Sequence, residues 1–256
     1  MTDARVLVEI VGHSCVITID RPEAKNSVDS GVATAIGSAL EAADADPGIR
    51  AIILTCAGDD AFCAGADLGA LARGESMFSA EHPEWSFAGW ARHPATTPTI
   101  AAVNGIALGG GFEAVLASDM VVAAENATFA LTEARWGVIA IAGGAQRLAA
   151  RVGRAVAMEM LSTGNSITAT RAYELQLVSR VVPRGQALAG ALALAGEIAA
   201  AAPLAVAAHK RIVVGASEDE QWQRGEQEWE RLSRTADAAE GPRAFVEKRA
   251  PKWLGR

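Results

Sequence analysis

Cysteine is scarce. The 256-residue chain has three, Cys15, Cys56 and Cys63. So few, and an odd number, exclude a disulfide framework and fit a reducing compartment, with the thiols serving as small buried apolar groups. Basic clusters are absent too. The 23 Lys and Arg are scattered among 30 Asp and Glu, for a formal net charge of −7. That argues against nucleic acid as a partner. The opening MTDARVLVEI has no charged segment followed by an apolar one, so no signal peptide is expected. The most apolar stretch, 187–208, is mostly alanine and contains Glu197 and Pro203. Two packed amphipathic helices broken at the proline are expected there, not a membrane span. The expectation is a soluble, cytoplasmic protein.

Several catalytic signatures are also missing. There is no G-x-x-x-x-G-K-[ST] phosphate loop, no G-x-G-x-x-G after a strand and no G-x-S-x-G elbow. The four histidines, His13, His82, His93 and His209, lack metal-ligand spacing, and no Cys-x-x-Cys occurs, so no metal is expected.

What remains is an alternation of strands and helices. RVLVEIV (5–11) and CVITID (15–20) read as a hairpin across Gly12-His13-Ser14. Asp29 or Ser30 caps a helix that runs to about Ala43, Asp46-Pro47-Gly48 turns, and IRAIILTC reads as a strand buried on both faces. Strand TIAAVNG (99–105), a helix from about Gly111, and strands MVVAAE (120–125) and ATFAL (127–131) continue the pattern. This predicts an α/β layered fold. Between 71 and 98 periodicity is lost, and Trp85, Phe87, Trp90, His82 and His93 gather in an irregular segment or lid. After LVSRVVP (177–183) the sequence reads helical. The expected organisation is an α/β core over 1–195 and a helical region over 196–256. The latter carries Trp222, Trp229 and Trp253, whose apolar stripe packs on the core or on a neighbouring subunit.

Two stretches carry chemistry. AFCAGADL (61–68) follows a strand and ends in Asp67, a cap for a helix beginning near Leu68. NGIALGGGFE (104–113) sets three glycines between an apolar run and a carboxylate. In both, small residues lie where a strand gives way to a helix, whose first N–H groups are unpaired. Either stretch alone would equally serve tight strand–helix packing. Two facing each other would aim two backbone donors at one oxygen, each worth about 3 kcal/mol in a transition state. Glu113 follows the glycines in an apolar setting, and Glu133 lies 20 residues on in FALTEARWG. Each is either a surface or Arg135-paired group, or a buried acid/base with a raised pKa.

These motifs, with RPEAKNSVD, GGAQRLAARVGRAVAMEMLSTG and EGPRAFVEKR, resemble the enoyl-CoA hydratase/isomerase (crotonase) family over nearly the whole chain. GGGFE and the C-terminal FVEKRAPKWLGR resemble its carnitinyl-CoA dehydratase branch. The resemblance implies a spiral of ββα units with a C-terminal helical trimerisation region, in trimers or hexamers. It implies an acyl-CoA substrate and no cofactor beyond its thioester. It assigns the oxyanion donors to the N–H groups of Ala66 and Gly110, water activation chiefly to Glu113, and proton transfer at Cα chiefly to Glu133. CoA is expected over Ala24, Lys25, Ala64, Asp67 and Leu68, with Phe245 and Lys248 reaching it from a neighbouring subunit. Trp136 and Ile141 are expected in the substrate pocket. One departure stands out. Where the family commonly reads Ile-Pro-Gly-Ala-Gly-Gly, this chain reads IAIAGG (139–144), so Ala140 replaces proline and β-branched Ile141 replaces a glycine whose N–H helps hold water. The leading expectation is hydration of an enoyl-CoA or the reverse. A double-bond isomerase and a non-catalytic CoA-binding protein are the other readings.

Overall fold

A computed structural model describes residues 3–214, 229–230, 233–249 and 252. Trp222 and Trp253, expected on the helical tail, lie outside the described residues.

The first four strands are β1 (Val6–Val11), β2 (Ser14–Ile19), β3 (Ala51–Cys56) and β4 (Ala61–Cys63). Strands β5 (Thr99–Val103), β6 (Ile106–Leu108), β7 (Met120–Ala124), β8 (Thr128–Ala130), β9 (Ile167–Thr168) and β10 (Arg180–Val182) follow. The helices are α1 (Ser30–Ala45), α2 (Leu68–Ala72), α3 (Gly110–Ala117), α4 (Gly144–Val152) and α5 (Arg154–Thr163). They continue with α6 (Ala169–Glu174), α7 (Ala187–Ala199), α8 (Pro203–Val214) and α9 (Ala236–Val246).

Six strands form a large sheet in the order β1-β2-β3-β5-β7-β10, and four form a smaller one in the order β4-β6-β8-β9. The β1–β2 hairpin is antiparallel, as expected, and the other large-sheet pairings are parallel. Consecutive strands split between the sheets: β3, β5 and β7 enter the large sheet, and β4, β6 and β8 the small one. That alternation is the ββα spiral.

Strand β3 is buried at every position, because both faces of the large sheet are covered. Ile52 and Leu54 join one apolar cluster with α1 and α3, while Ala51 and Ile53 join another with α7. The alanines of α7 let it approach closely: a Cβ on Gly190 would stand 3.0 Å from Val122 Cγ1. Residue 195, where the core is expected to end, lies in α7, whose Ala187, Ala191, Leu194 and Ala195 seal the sheet. The chain leaves the sheet after α7, where α8 turns away at 107°. No single helix among the described residues is long and apolar enough to cross a membrane.

The segment between α2 and β5 is irregular but anchored. Trp85, Phe87 and Trp90 are buried, and the Trp90 indole donates to Ser118 Oγ at 3.2 Å. The three cysteines are free and buried.

Candidate active site

The small sheet explains why distant sequence stretches meet. Strands β4, β6 and β8 are parallel neighbours, so their C-terminal ends stand side by side. From β4 emerges 64–67, from β6 the glycine run, and from β8 the chain leading to Glu133. Gly109 N donates to Ala130 O at 3.0 Å, tying the second turn to the third.

Each glycine of the run answers a separate demand. Gly109 has φ +52 as the cap of α3, and a Cβ there would lie 3.2 Å from Glu133 Oε1. At Gly110 a Cβ would strike the Phe87 ring at 2.6 Å, and at Gly111 it would strike Cys63 O at 2.1 Å. Gly110 is the first residue of α3, where a backbone N–H has no intrahelical partner. The facing turn holds Gly65 at φ +94, where a Cβ would be 3.3 Å from Gly110 N. Val28 N donates to Gly65 O and Asp67 N to Val28 O, both at 2.9 Å. These are the two bonds of a parallel bridge between Val28 and Ala66, and they leave the Ala66 N–H directed away from Val28.

Glu113 sits one turn into α3 and is buried. Its Oε1 accepts from Gly144 N at 2.9 Å, and the nearby Ala142 N–H also favours the charged carboxylate. Burial pushes its pKa up to about 8, with the Glu133 carboxylate adding to the rise. Glu133 opens a 3-10 turn, Glu133–Trp136. Burial lifts it to about 7, and its Oε2 is buried with no hydrogen-bond partner. Arg135 does not neutralise it, donating instead to Thr163 O and Asn165 Oδ1 at 2.7 Å each. The two glutamates are thus neighbours in a desolvating setting, which favours one shared proton over two charges.

The residues expected at CoA fall into two groups. Ala64 N donates to Lys25 O at 3.0 Å, joining the 24–25 and 64–68 loops. Lys25 is left-handed at φ 51 and exposed, while Asp67 caps α2 through Ala70 N at 3.0 Å and Leu68 is 38% exposed. Phe245 instead meets Trp136 of its own chain edge-on, with ring centroids 5.0 Å apart. Gly241 permits this approach of α9, since a Cβ there would overlap the Trp136 carbonyl. Lys248 follows α9, exposed, at φ 53. Ile141 is half-buried in the loop before α4.

Arg21, Asn26, Phe87 and Arg147 lie in stretches that the sequence marks out, but their individual roles show only in the fold. Arg21 donates to Ser27 O at 2.7 Å and Asp67 Oδ2 at 2.9 Å. Asn26, wholly buried, donates to Ala57 O at 3.0 Å and Ala61 O at 2.8 Å. Together they hold the 24–25 loop against β4. Among the described residues no group of three or more His, Cys, Asp or Glu is placed to hold a metal.

Comparison with known proteins places this arrangement. The family model described as enoyl-CoA hydratase/isomerase matches residues 10–256. A carnitinyl-CoA dehydratase from Proteus mirabilis is 41% identical over 248 residues, 94% of each chain. A carnitinyl-CoA hydratase from Mycobacterium avium superposes with a TM-score of 0.97 at 49% identity, covering 100% of both chains. An enoyl-CoA hydratase from Mycobacterium tuberculosis H37Rv superposes at 0.79 and 42% identity, over 99% of this chain and 100% of that one. With its crotonase fold of two sheets and C-terminal helices, this chain belongs to the enoyl-CoA hydratase/isomerase family.

Proposed function

We propose that the protein is a hydro-lyase that adds water across the α,β double bond of an enoyl-CoA thioester, or removes it. The observation that carries the reading is the pairing of buried Glu113 with half-buried Glu133, whose Oε2 is buried, beside the first N–H groups of α3. Ala66 N–H and Gly110 N–H receive the thioester oxygen. Glu113 as carboxylate takes a proton from water while the water oxygen bonds to Cβ. The displaced electron pair moves to the thioester oxygen as an enolate, and Glu133 as carboxylic acid delivers a proton to Cα. Burial leaves the resting proton on Glu113, at about 8, rather than on Glu133, at about 7, so the reactive pair is the minor tautomer in which the proton has passed to Glu133 and the Gly144 N–H supports the charge on Glu113. The proton gained by Glu113 equals the one lost by Glu133, so the pair resets by internal transfer.

CoA lies over Ala24, Lys25, Ala64, Asp67 and Leu68, and Phe245 and Lys248 reach it from a neighbouring subunit. Trp136 and Ile141 bound the acyl pocket. The relatives favour the carnitinyl-CoA/crotonobetainyl-CoA pair as substrate. The chain assembles as a trimer or hexamer through its C-terminal helices, on which Leu204, Val213, Val246 and Phe245 are exposed.

The test is loss of enone absorbance with crotonyl-CoA, crotonobetainyl-CoA and a longer enoyl-CoA. Turnover is expected, fastest with crotonobetainyl-CoA. Glu113→Gln and Glu133→Gln should each lower kcat by about 10²-fold or more. Full activity in either variant would refute the two-carboxylate mechanism, and CoA binding without turnover of any enoyl-CoA would refute the hydro-lyase.

A further inference from the structure

Arg147 stands in the first turn of α4 and reaches two loops at once. Its Nη1 donates to Ala142 O at 3.0 Å and its Nη2 to Ala91 O at 2.8 Å. The first loop is the one whose Gly144 N–H holds the Glu113 carboxylate and whose Ala142 N–H favours its charge. The second ends the turn 86–91, which lays Phe87 over Gly110. That turn is strained: Ser86 and Ala88 sit at φ 62 and φ 60, where side chains are disfavoured. Buried Trp85 and Trp90 flank it. A planar guanidinium can hold two carbonyls in different directions, which an ammonium cannot do with the same geometry.

We propose that Arg147 is a positioning residue: it pins the loop that grips Glu113 and the turn that lays Phe87 over Gly110, and so couples the acid/base side of the site to the oxyanion side. Two consequences follow. The positive charge of Arg147 favours ionised Glu113, opposing burial and Glu133. Loss of the guanidinium also loosens the loop that carries the Ala142 and Gly144 N–H groups. Both effects raise the proton affinity of Glu113. The other groups around α3 do not substitute for it. Arg151 donates to Ser118 O at the far end of the helix, and the Cys63 thiol beside Gly111 is buried and held neutral.

The functional consequence rests on the proposed hydro-lyase, so the first readout is independent of turnover. The carboxyl C=O stretch of Glu113, identified by its loss in Glu113→Gln, is titrated by infrared difference spectroscopy without substrate. In Arg147→Met the midpoint should move to higher pH by about one unit, and in Arg147→Lys, which keeps the charge, by less. Arg147→Gln, which removes the charge but keeps N–H donors, guards against loss of folding in the methionine variant and should shift in the same direction. With substrate, kcat should fall about tenfold or more while KM changes little, and the acid limb of the pH profile should move with the infrared midpoint. An unmoved midpoint in the uncharged variants would overturn the proposal, even if their stability fell. A wild-type protein that titrates normally but turns over no enoyl-CoA would refute the hydro-lyase reading instead.

Discussion

At the scale of the residue, Glu113 shows how burial becomes a pH dependence. Its pKa rises from 4.5 to about 8 on folding, so the native state disfavours its charge. Below the unfolded value both states hold the proton and folding carries no penalty. As pH rises from about 4.5 through 8, the unfolded chain ionises first and stability is lost. Replacing the carboxyl with an amide that keeps the Gly144 N–H bond should remove this loss. Glu113→Gln is expected to unfold at a higher Tm than the parent protein at pH 9, by roughly a few kcal/mol of stability, with the gap closing near pH 4.5. A parent protein more stable than the variant at alkaline pH would mean that the carboxylate is paid for by partners as a charge. The glutamates themselves were legible in the sequence, since each sits in an apolar stretch beside a motif of small residues. Their mutual proximity was not, because 20 residues and two strands separate them.

At the scale of the element, the start of α3 is where packing and chemistry meet. Gly111 has no room for a methyl group against Cys63 O, a backbone atom that cannot swing aside. Gly111→Ala should cost about 3 kcal/mol or more by overpacking and separate the two turns of the site. Gly196 in α7 is the control, since no atom lies within 4 Å of a Cβ built there and its φ is ordinary. Gly196→Ala should stabilise by about 0.5–1 kcal/mol through helix propensity. Denaturant unfolding of the two variants measures both, and equal effects would show that α3 is not built to this tolerance. The glycine run was readable as a special place from composition alone. Which atom each glycine makes way for depends on Phe87, Cys63 and Glu133, brought there from three other elements.

At the scale of the whole molecule, two of the apolar exposures among the described residues are β1, with Leu7, Val8 and Ile10 at 50–57%, and the C-terminal helices, with Leu204 at 84% and Val213 at 82%. Isolated chains seldom leave such patches open to water. Sedimentation at micromolar concentration should therefore give a trimer or hexamer, and Leu204→Lys should shift the distribution toward smaller species. A monomeric parent protein would overturn that assembly. The partition between core and tail belongs to this scale as well. The alanine-rich run at 187–208 read as two helices broken at a proline, and so it is. The first lies mostly within the core expected over 1–195, and the sheet shows what it does there: Ala187, Ala191, Leu194 and Ala195 are the sheet's second cover.

The sequence by itself determined the class of the fold, the strand-to-helix turns, the two glutamates and the family, because strand and helix periods, glycine and small-residue turns are local properties of a chain. Tertiary structure alone decided what those parts do to one another. Parallel pairing of β4, β6 and β8 brings three turns into one row, burial raises both carboxyls, and Arg147 ties the loop before α4 to the turn that carries Phe87. These are effects of distance and desolvation between residues far apart in sequence, and they exist only once the chain has closed around them.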